Sequence, residues 1–206
     1  MTNAIRIHRH ALSGHSHRVE LFASLAGIAH ELIDVDLASG AHKQADFLAL
    51  NPFGQVPVIQ DGDVTLSDSN AILVYLARRY APNWLGQNPV EEAEIQKFLS
   101  IAAGPIAFGP AAARLVTVFG ASLDADVAKA HATNIFDKLE AHLDGRDFLV
   151  SNRPTIADIA IYSYTAHAPE GNVSLAGYPH IRRLLTNVEK LDGFVPMAAT
   201  QVGLAA

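Results

Sequence analysis

The chain has 206 residues, half of them hydrophobic and 17% charged, and 15 Lys plus Arg against 21 Asp plus Glu leave a formal charge of -6. Such a chain buries a sizeable core as one large domain or two small ones, which excludes the disordered class. Mild acidity without a basic run argues against nucleic acid as a partner, and the absence of cysteine excludes disulfides, thiolate metal sites and a Cys nucleophile.

In chain order, Ala4 to His8 reads as a strand with Ile5 and Ile7 on one face, and Ser16 to Ala26 as a helix with Val19, Phe22, Ala23 and Ala26 inward. Leu32 to Val35 is a second strand and His42 to Leu50 a short helix. Val56 to Gln60 and Val64 to Leu66 are strands joined by an Asp61-Gly62 turn, and Asp68 to Tyr80 is a helix. The order β-α-β-α-β-β-α implies a small mixed sheet with helices packed on it. Two prolines, a glycine and two asparagines between Ala81 and Pro89 read as a linker. Beyond it strand signals nearly vanish. Glu91 to Ala103, Pro110 to Phe119, Ala125 to Leu143, Thr155 to Ala166 and His180 to Glu189 read as helices. The fold class is therefore an α/β domain followed by an all-α one, with boundaries at 1–81, 82–89 and 90–206.

The longest apolar stretch, Phe98 to Ala113, is broken by Gly104-Pro105 and Gly109-Pro110 and reads as an interrupted interior helix rather than a membrane span. Met1 to Arg6 lacks the apolar region of a signal peptide, so the expected location is the cytoplasm, with no membrane partner.

Several short motifs carry candidate chemistry. Pro57 opens a strand. A cis Val56-Pro57 bond would turn the chain and expose the Val56 main chain to a ligand, whereas a trans proline on an edge strand is the simpler reading of the motif alone. Ser67-Asp68-Ser69-Asn70 opens a helix whose first-turn N–H groups and Ser69 hydroxyl form an anion site, or only a cap. His42 and Lys43 are suited to a carboxylate, or are a solvated surface pair. Gly14-His15-Ser16 resembles part of a nucleophile elbow, but Arg18 stands where the second glycine belongs. His8, His10, His15 and His17 match no strong metal spacing, so no metal is expected. Thr155-Ile156-Ala157-Asp158 is a capping box before a buried helix.

Taken together, Ser13, His42-Lys43, Asn51-Pro52-Phe53-Gly54-Gln55-Val56-Pro57-Val58, Asp68-Ser69-Asn70-Ala71-Ile72 and Pro154-Thr155-Ile156-Ala157-Asp158 resemble the cytosolic glutathione transferase family over essentially the whole chain, most closely its bacterial members with phi- and theta-like features. The resemblance implies a thioredoxin-like N-terminal domain, a helical C-terminal domain and a homodimer. It implies glutathione as co-substrate and conjugation of its thiolate to small hydrophobic electrophiles. Carried over, Ser13 is the catalytic serine, and Val56 beside Pro57 pairs with the cysteinyl part. Asp68 and Ser69 hold the γ-glutamyl end, while His42, Lys43 and Gln55 hold the glycyl or nearby polar groups. His15 stands where the zeta class has a cysteine, which counts against a zeta-type isomerase.

The chemistry agrees with these roles. A free thiol of pKa about 8.5 is only ~3% ionised at pH 7, and a hydroxyl donating to the sulfur lowers that value by roughly one to two units. Ser13 is thus expected to stabilise a thiolate, not to act as a nucleophile. The electrophile pocket is expected between the domains, with Leu12, Ile106, Phe108 and Leu115 as candidate walls. The alternatives are a non-catalytic ligand-binding or assembly protein on the same fold, thiol–disulfide exchange through the bound glutathione sulfur alone, and an unrelated hydrolase using Ser16.

Overall fold

The computed structural model describes residues 4–205. Met1 to Asn3, the start of the segment read as lacking a signal peptide, and Ala206 lie outside the described residues. The chain divides into two units, Met1–Pro82 with Asp192–Ala198, and Asn83–Leu191 with Ala199–Ala206.

The first unit is built on β1 (Ile5–Arg9), α1 (Gly14–Leu25), β2 (His30–Asp34), α2 (Ala45–Leu50), β3 (Val58–Asp61), β4 (Val64–Ser67) and α3 (Ser69–Tyr80). The sheet order is β2-β1-β3-β4. β1 runs parallel to β2, with Ile7 opposite Leu32, and antiparallel to β3, with Ile7 opposite Ile59. The β3–β4 hairpin turns at Gly62, whose φ of +60° is the left-handed conformation that glycine adopts without steric cost. α1 packs on α3, and Val19, Leu21 and Phe22 from one and Ile72, Leu73 and Leu76 from the other are fully buried. This is the thioredoxin-like arrangement of a small mixed sheet and helices expected above.

The helix expected over His42 to Leu50 is in fact two pieces. A single 3-10 turn spans Ala41–Lys43, Gln44 is extended, and α2 begins at Ala45. The break lets Ala41 and Leu50 both pack against a small cluster of Val35, Phe47 and Val58, which one continuous helical face would not allow. Val56 also packs there and stands outside the β ladder, two residues before β3.

The second unit holds α4 (Pro89–Ile101), α5 (Ala112–Phe119), α6 (Ala125–His142), α7 (Ile156–Ala166) and α8 (Pro179–Glu189). The residues read as a linker are anchored to it. Arg153 donates to Asn83 O at 2.6 Å and to Leu85 O at 2.8 Å, and Trp84 and Leu85 are buried. α4 does not stop at the first Gly-Pro. Residues Ala102–Ala111 continue it as wide π-type turns into α5, so one helical run spans Pro89–Phe119. A proline ring collides with the carbonyl four residues back in an α-helix; the wider turn displaces that carbonyl and keeps the run unbroken. By length and composition alone this run would cross a membrane. In the fold its π-type segment packs against α6 and α7. α7 is buried on every face from Ile156 to Thr165, with Asp158, Ser163 and Thr165 among its buried side chains. The capping box is formed: Thr155 Oγ1 accepts from Ala157 N, and the Asp158 carboxylate accepts from Thr155 N at 2.8 Å.

Candidate active site

Ser13 is the N-cap of α1, in extended conformation, and its Oγ accepts a hydrogen bond from Ser16 N at 3.2 Å. Capping spends one lone pair of the hydroxyl and leaves its single proton to donate. The oxygen also sits at the positive end of the α1 dipole, where an adjoining anion is stabilised. Ser16, by contrast, is fully buried and its Oγ accepts from His10 N at 3.2 Å. That placement overturns the elbow reading, because a nucleophile must be exposed at the top of its turn.

The four N-terminal histidines part company. His8 Nε2 meets the Gln60 side chain, Leu12 N donates to His10 Nδ1, His15 Nδ1 meets Ser69, and His17 Nε2 donates to Val195 O. Among the described residues no three His, Asp or Glu side chains cluster as metal ligands would.

The second group of candidates lies where α3 begins. Asp68 is the N-cap, with φ +70° and ψ 117°, a sparsely populated conformation for a residue with a Cβ that costs on the order of 1–3 kcal/mol. One carboxylate oxygen accepts from Ala71 N at 2.9 Å, and the side chain is exposed. Ser69 is buried, and its Oγ is fed by Arg18 Nη1 at 2.8 Å, while the same Nη1 donates to Asn70 Oδ1 at 2.8 Å. Arg18, 1% exposed, thus ties the helix that Ser13 opens to the first turn of α3. The motif reading missed Arg18. The available signal was a guanidinium next to Val19 on the buried side of α1, where a charge persists only if it is paired. The same surroundings hold His15 neutral: burial, then the Arg18 charge, lower its pKa to about 4.

The third group lies ahead of β3. Asn51, 2% exposed, shapes this turn, donating from Nδ2 to Gln55 O at 2.8 Å and accepting Phe53 N at 3.2 Å. Lys43 Nζ donates to Gly54 O at 3.2 Å, which brings Lys43 beside the turn that carries Gln55, and the Val56-Pro57 peptide bond is cis. Gly54 is obligatory on two counts: its φ is +60°, and a Cβ there would lie 2.9 Å from His42 O and 2.9 Å from Lys43 Nζ. Gln55 and Lys43 are exposed and His42 half-buried. The bonds therefore assemble Ser69 with Arg18 and His15, and Lys43 with the turn leading to Gln55, Val56 and Pro57.

Of the four candidate electrophile walls, Ile106 belongs to the core, fully buried. Phe108, 68% exposed, lines an apolar cavity of about 690 Å³ between the π-type segment and α6, with Pro105, Leu123 and Val127. Leu115 is partly exposed, and Leu12 lies beside Ser13 in the β1–α1 loop.

Comparison with known proteins meets this geometry from outside. Residues 12–79 match the family described as Glutathione S-transferase, N-terminal domain, and residues 106–192 match Glutathione S-transferase, C-terminal domain. The chain is 33% identical over 192 residues to Glutathione S-transferase 3 of Zea mays, covering 86% of each chain. It is 32% identical over 151 residues to Glutathione S-transferase F9 of Arabidopsis thaliana, covering 68% of this chain and 69% of that one. The solved glutathione S-transferase of Pseudomonas fluorescens superposes with a TM-score of 0.90 at 27% identity, over 96% of this chain and 100% of that one. A glutathione transferase homolog of Drosophila mojavensis, solved with bound glutathione, shares the fold with a TM-score of 0.84 at 22% identity, over 93% of this chain and 89% of that one. A thioredoxin-like unit whose first helix is capped by a serine, followed by a helical unit, with a family match in each, is thus that of a known lineage: the chain belongs to the glutathione S-transferase family.

Proposed function

We propose that this chain conjugates the thiolate of glutathione to small hydrophobic electrophiles, with the Ser13 hydroxyl holding the sulfur as an anion. One observation carries the reading. Ser13 Oγ is already engaged as an acceptor by Ser16 N–H, so its proton is available to a sulfur placed at the start of α1. The N–H groups of the first turn of α3 and the Ser69 hydroxyl suit the γ-glutamyl carboxylate, and the Asp68 oxygen not used in capping suits its ammonium. Val56 offers its main chain to the cysteinyl part. Lys43, with N–H groups beyond the one given to Gly54 O, serves the glycyl carboxylate together with His42 and Gln55. A cytoplasmic location goes with this reading, since the reacting thiol must stay reduced. So does a homodimer, supported by the exposed Phe108, Leu123 and Val127, and sedimentation at micromolar concentration tests it. The test of function is retention on immobilised glutathione together with turnover of a panel of aryl halides and enals. Retention without turnover of any electrophile would leave a ligand-binding protein and overturn the enzymatic reading.

A further inference from the structure

The turn that delivers Ser13 to the start of α1 is held by more than the helix cap. His10 follows β1 directly, and its carbonyl accepts Ser13 N–H at 2.9 Å. Its own N–H donates to Ser16 Oγ at 3.2 Å, and Ser16 N–H returns to Ser13 Oγ at 3.2 Å. These three bonds close a circuit through His10, Ser13 and Ser16, anchored on the fully buried Ser16. They fix the two ends of the turn. The peptide joining Ala11 to Leu12 is held by the His10 side chain, because Leu12 N–H donates to His10 Nδ1 at 3.3 Å. Asp and Asn at the head of a turn make the same bond, from side chain to the N–H two residues on. Here an imidazole nitrogen takes the place of their oxygen. A backbone N–H only donates, so this Nδ1 carries no proton and the neutral imidazole holds its proton on Nε2.

We propose that His10 is a positioning residue for Ser13: its unprotonated Nδ1, by holding the Ala11–Leu12 peptide, sets the angle at which the Ser13 hydroxyl meets the glutathione sulfur. A hydrogen bond weakens steeply as its angle closes, so a rotation of the peptide just ahead of Ser13 is felt at the sulfur. Replacing the imidazole leaves the His10–Ser13–Ser16 circuit in place, since His10 enters it through its main chain, and releases only the middle of the turn. The inference rests on the reading of Ser13 as the donor to the thiolate.

The experiment is ultraviolet titration of the thiolate in glutathione-saturated wild type, His10→Ala, His10→Asn, Ser13→Gly and the double variant carrying His10→Ala with Ser13→Gly. Asparagine keeps an acceptor for Leu12 N–H and alanine does not, while both remove the imidazole. His10→Ala is expected to raise the thiol pKa by ~0.4–1 unit, the worth of one neutral hydrogen bond, toward the Ser13→Gly value. His10→Asn is expected to return it to the wild-type value, and His10→Ala to add nothing once Ser13 is glycine. Long-range 1H–15N correlation NMR at pH 8 on wild type labelled with 15N-histidine is expected to show His10 Nδ1 unprotonated and Nε2 protonated, the signals being identified by their loss in His10→Asn. This arm decides even where His10→Ala does not fold. Coincident titrations of wild type and His10→Ala, an equal rise in His10→Asn, the same rise on the Ser13→Gly background, or a protonated Nδ1 would each overturn the role of His10 and leave Ser13 standing. A wild type that does not saturate with glutathione, or whose bound thiol is no more acidic than that of Ser13→Gly, would overturn the Ser13 reading and this inference with it.

Discussion

Removing the Ser13 hydroxyl separates two contributions that the structure places on one atom. As the N-cap of α1 it accepts Ser16 N–H at 3.2 Å, and alanine there costs about 0.5–2 kcal/mol of stability, whereas glycine costs only a few tenths. As a donor to a bound thiolate it is worth ~1.5–3 kcal/mol, which lowers the thiol pKa from about 8.5 to about 7. Ser13→Gly therefore removes the second effect while nearly sparing the first. The α1 dipole acts in both proteins and contributes roughly 0.3–1 kcal/mol, so the thiol should titrate at about 6.5 in the wild-type complex and at about 8 in the variant. At pH 7 the ionised fraction then falls from about three quarters to about one tenth. Turnover should fall by less than that factor, because a more basic thiolate is intrinsically more nucleophilic, and the loss should disappear as both thiols ionise on the alkaline side. The direct assay is ultraviolet titration of the thiolate in the glutathione complexes of wild type, Ser13→Gly and Ser13→Thr. Coincident midpoints for wild type and Ser13→Gly, with both saturated in glutathione, would refute the reasoning.

Three further outcomes follow from the helical unit. Asp158 is fully buried, and burial, offset by its bonds from Leu149 N and Thr155, raises its pKa from 3.8 to about 6. Its stabilisation is thus fully present below the unfolded value and is lost as pH rises through about 6, so urea melts should show the advantage of wild type over Asp158→Asn shrinking between pH 4 and 6.5. Glu170 is the opposite case. It accepts from Arg114 Nε at 2.6 Å and Thr200 Oγ1 at 2.8 Å, and although burial alone would raise its pKa, the hydrogen bonds from His167, Thr200 and Arg114 outweigh it and leave the carboxyl below its ordinary value. Its contribution is present above the unfolded value and lost on acidification. Arg114→Ala leaves a buried charge without its partner and should cost about 3–5 kcal/mol at pH 7 by chemical denaturation. Gly109→Ala would put a Cβ 2.8 Å from Ala132 N and 3.0 Å from its Cα, both backbone atoms of α6, and a lowering of stability by about 1–3 kcal/mol in the same assay is expected.

What the amino-acid order determined unaided was whatever depends on neighbours within a few residues. The apolar spacing of Val19 and Phe22 defines the inner face of α1, Asp61-Gly62 closes the β3–β4 hairpin, and Thr155 with Asp158 starts α7, because each rests on hydrogen bonds or periodicities spanning at most one or two turns. Ser13 was legible only through the resemblance, since the helix expected from Ser16 begins instead at Gly14, with Ser13 as its cap. Tertiary packing decided the rest. The extended Gln44 that splits the expected helix, and the wide turns that carry the Pro89–Phe119 run through Pro105 and Pro110, are responses to what each segment must bury. The contact of Arg18 and His15 with Ser69 joins positions more than fifty residues apart, and His17 reaches Val195 across 178. No local pattern encodes such pairings. A buried guanidinium is tolerated only where docked helices supply its acceptors, and those acceptors come together only when α1 and α3 have packed against each other.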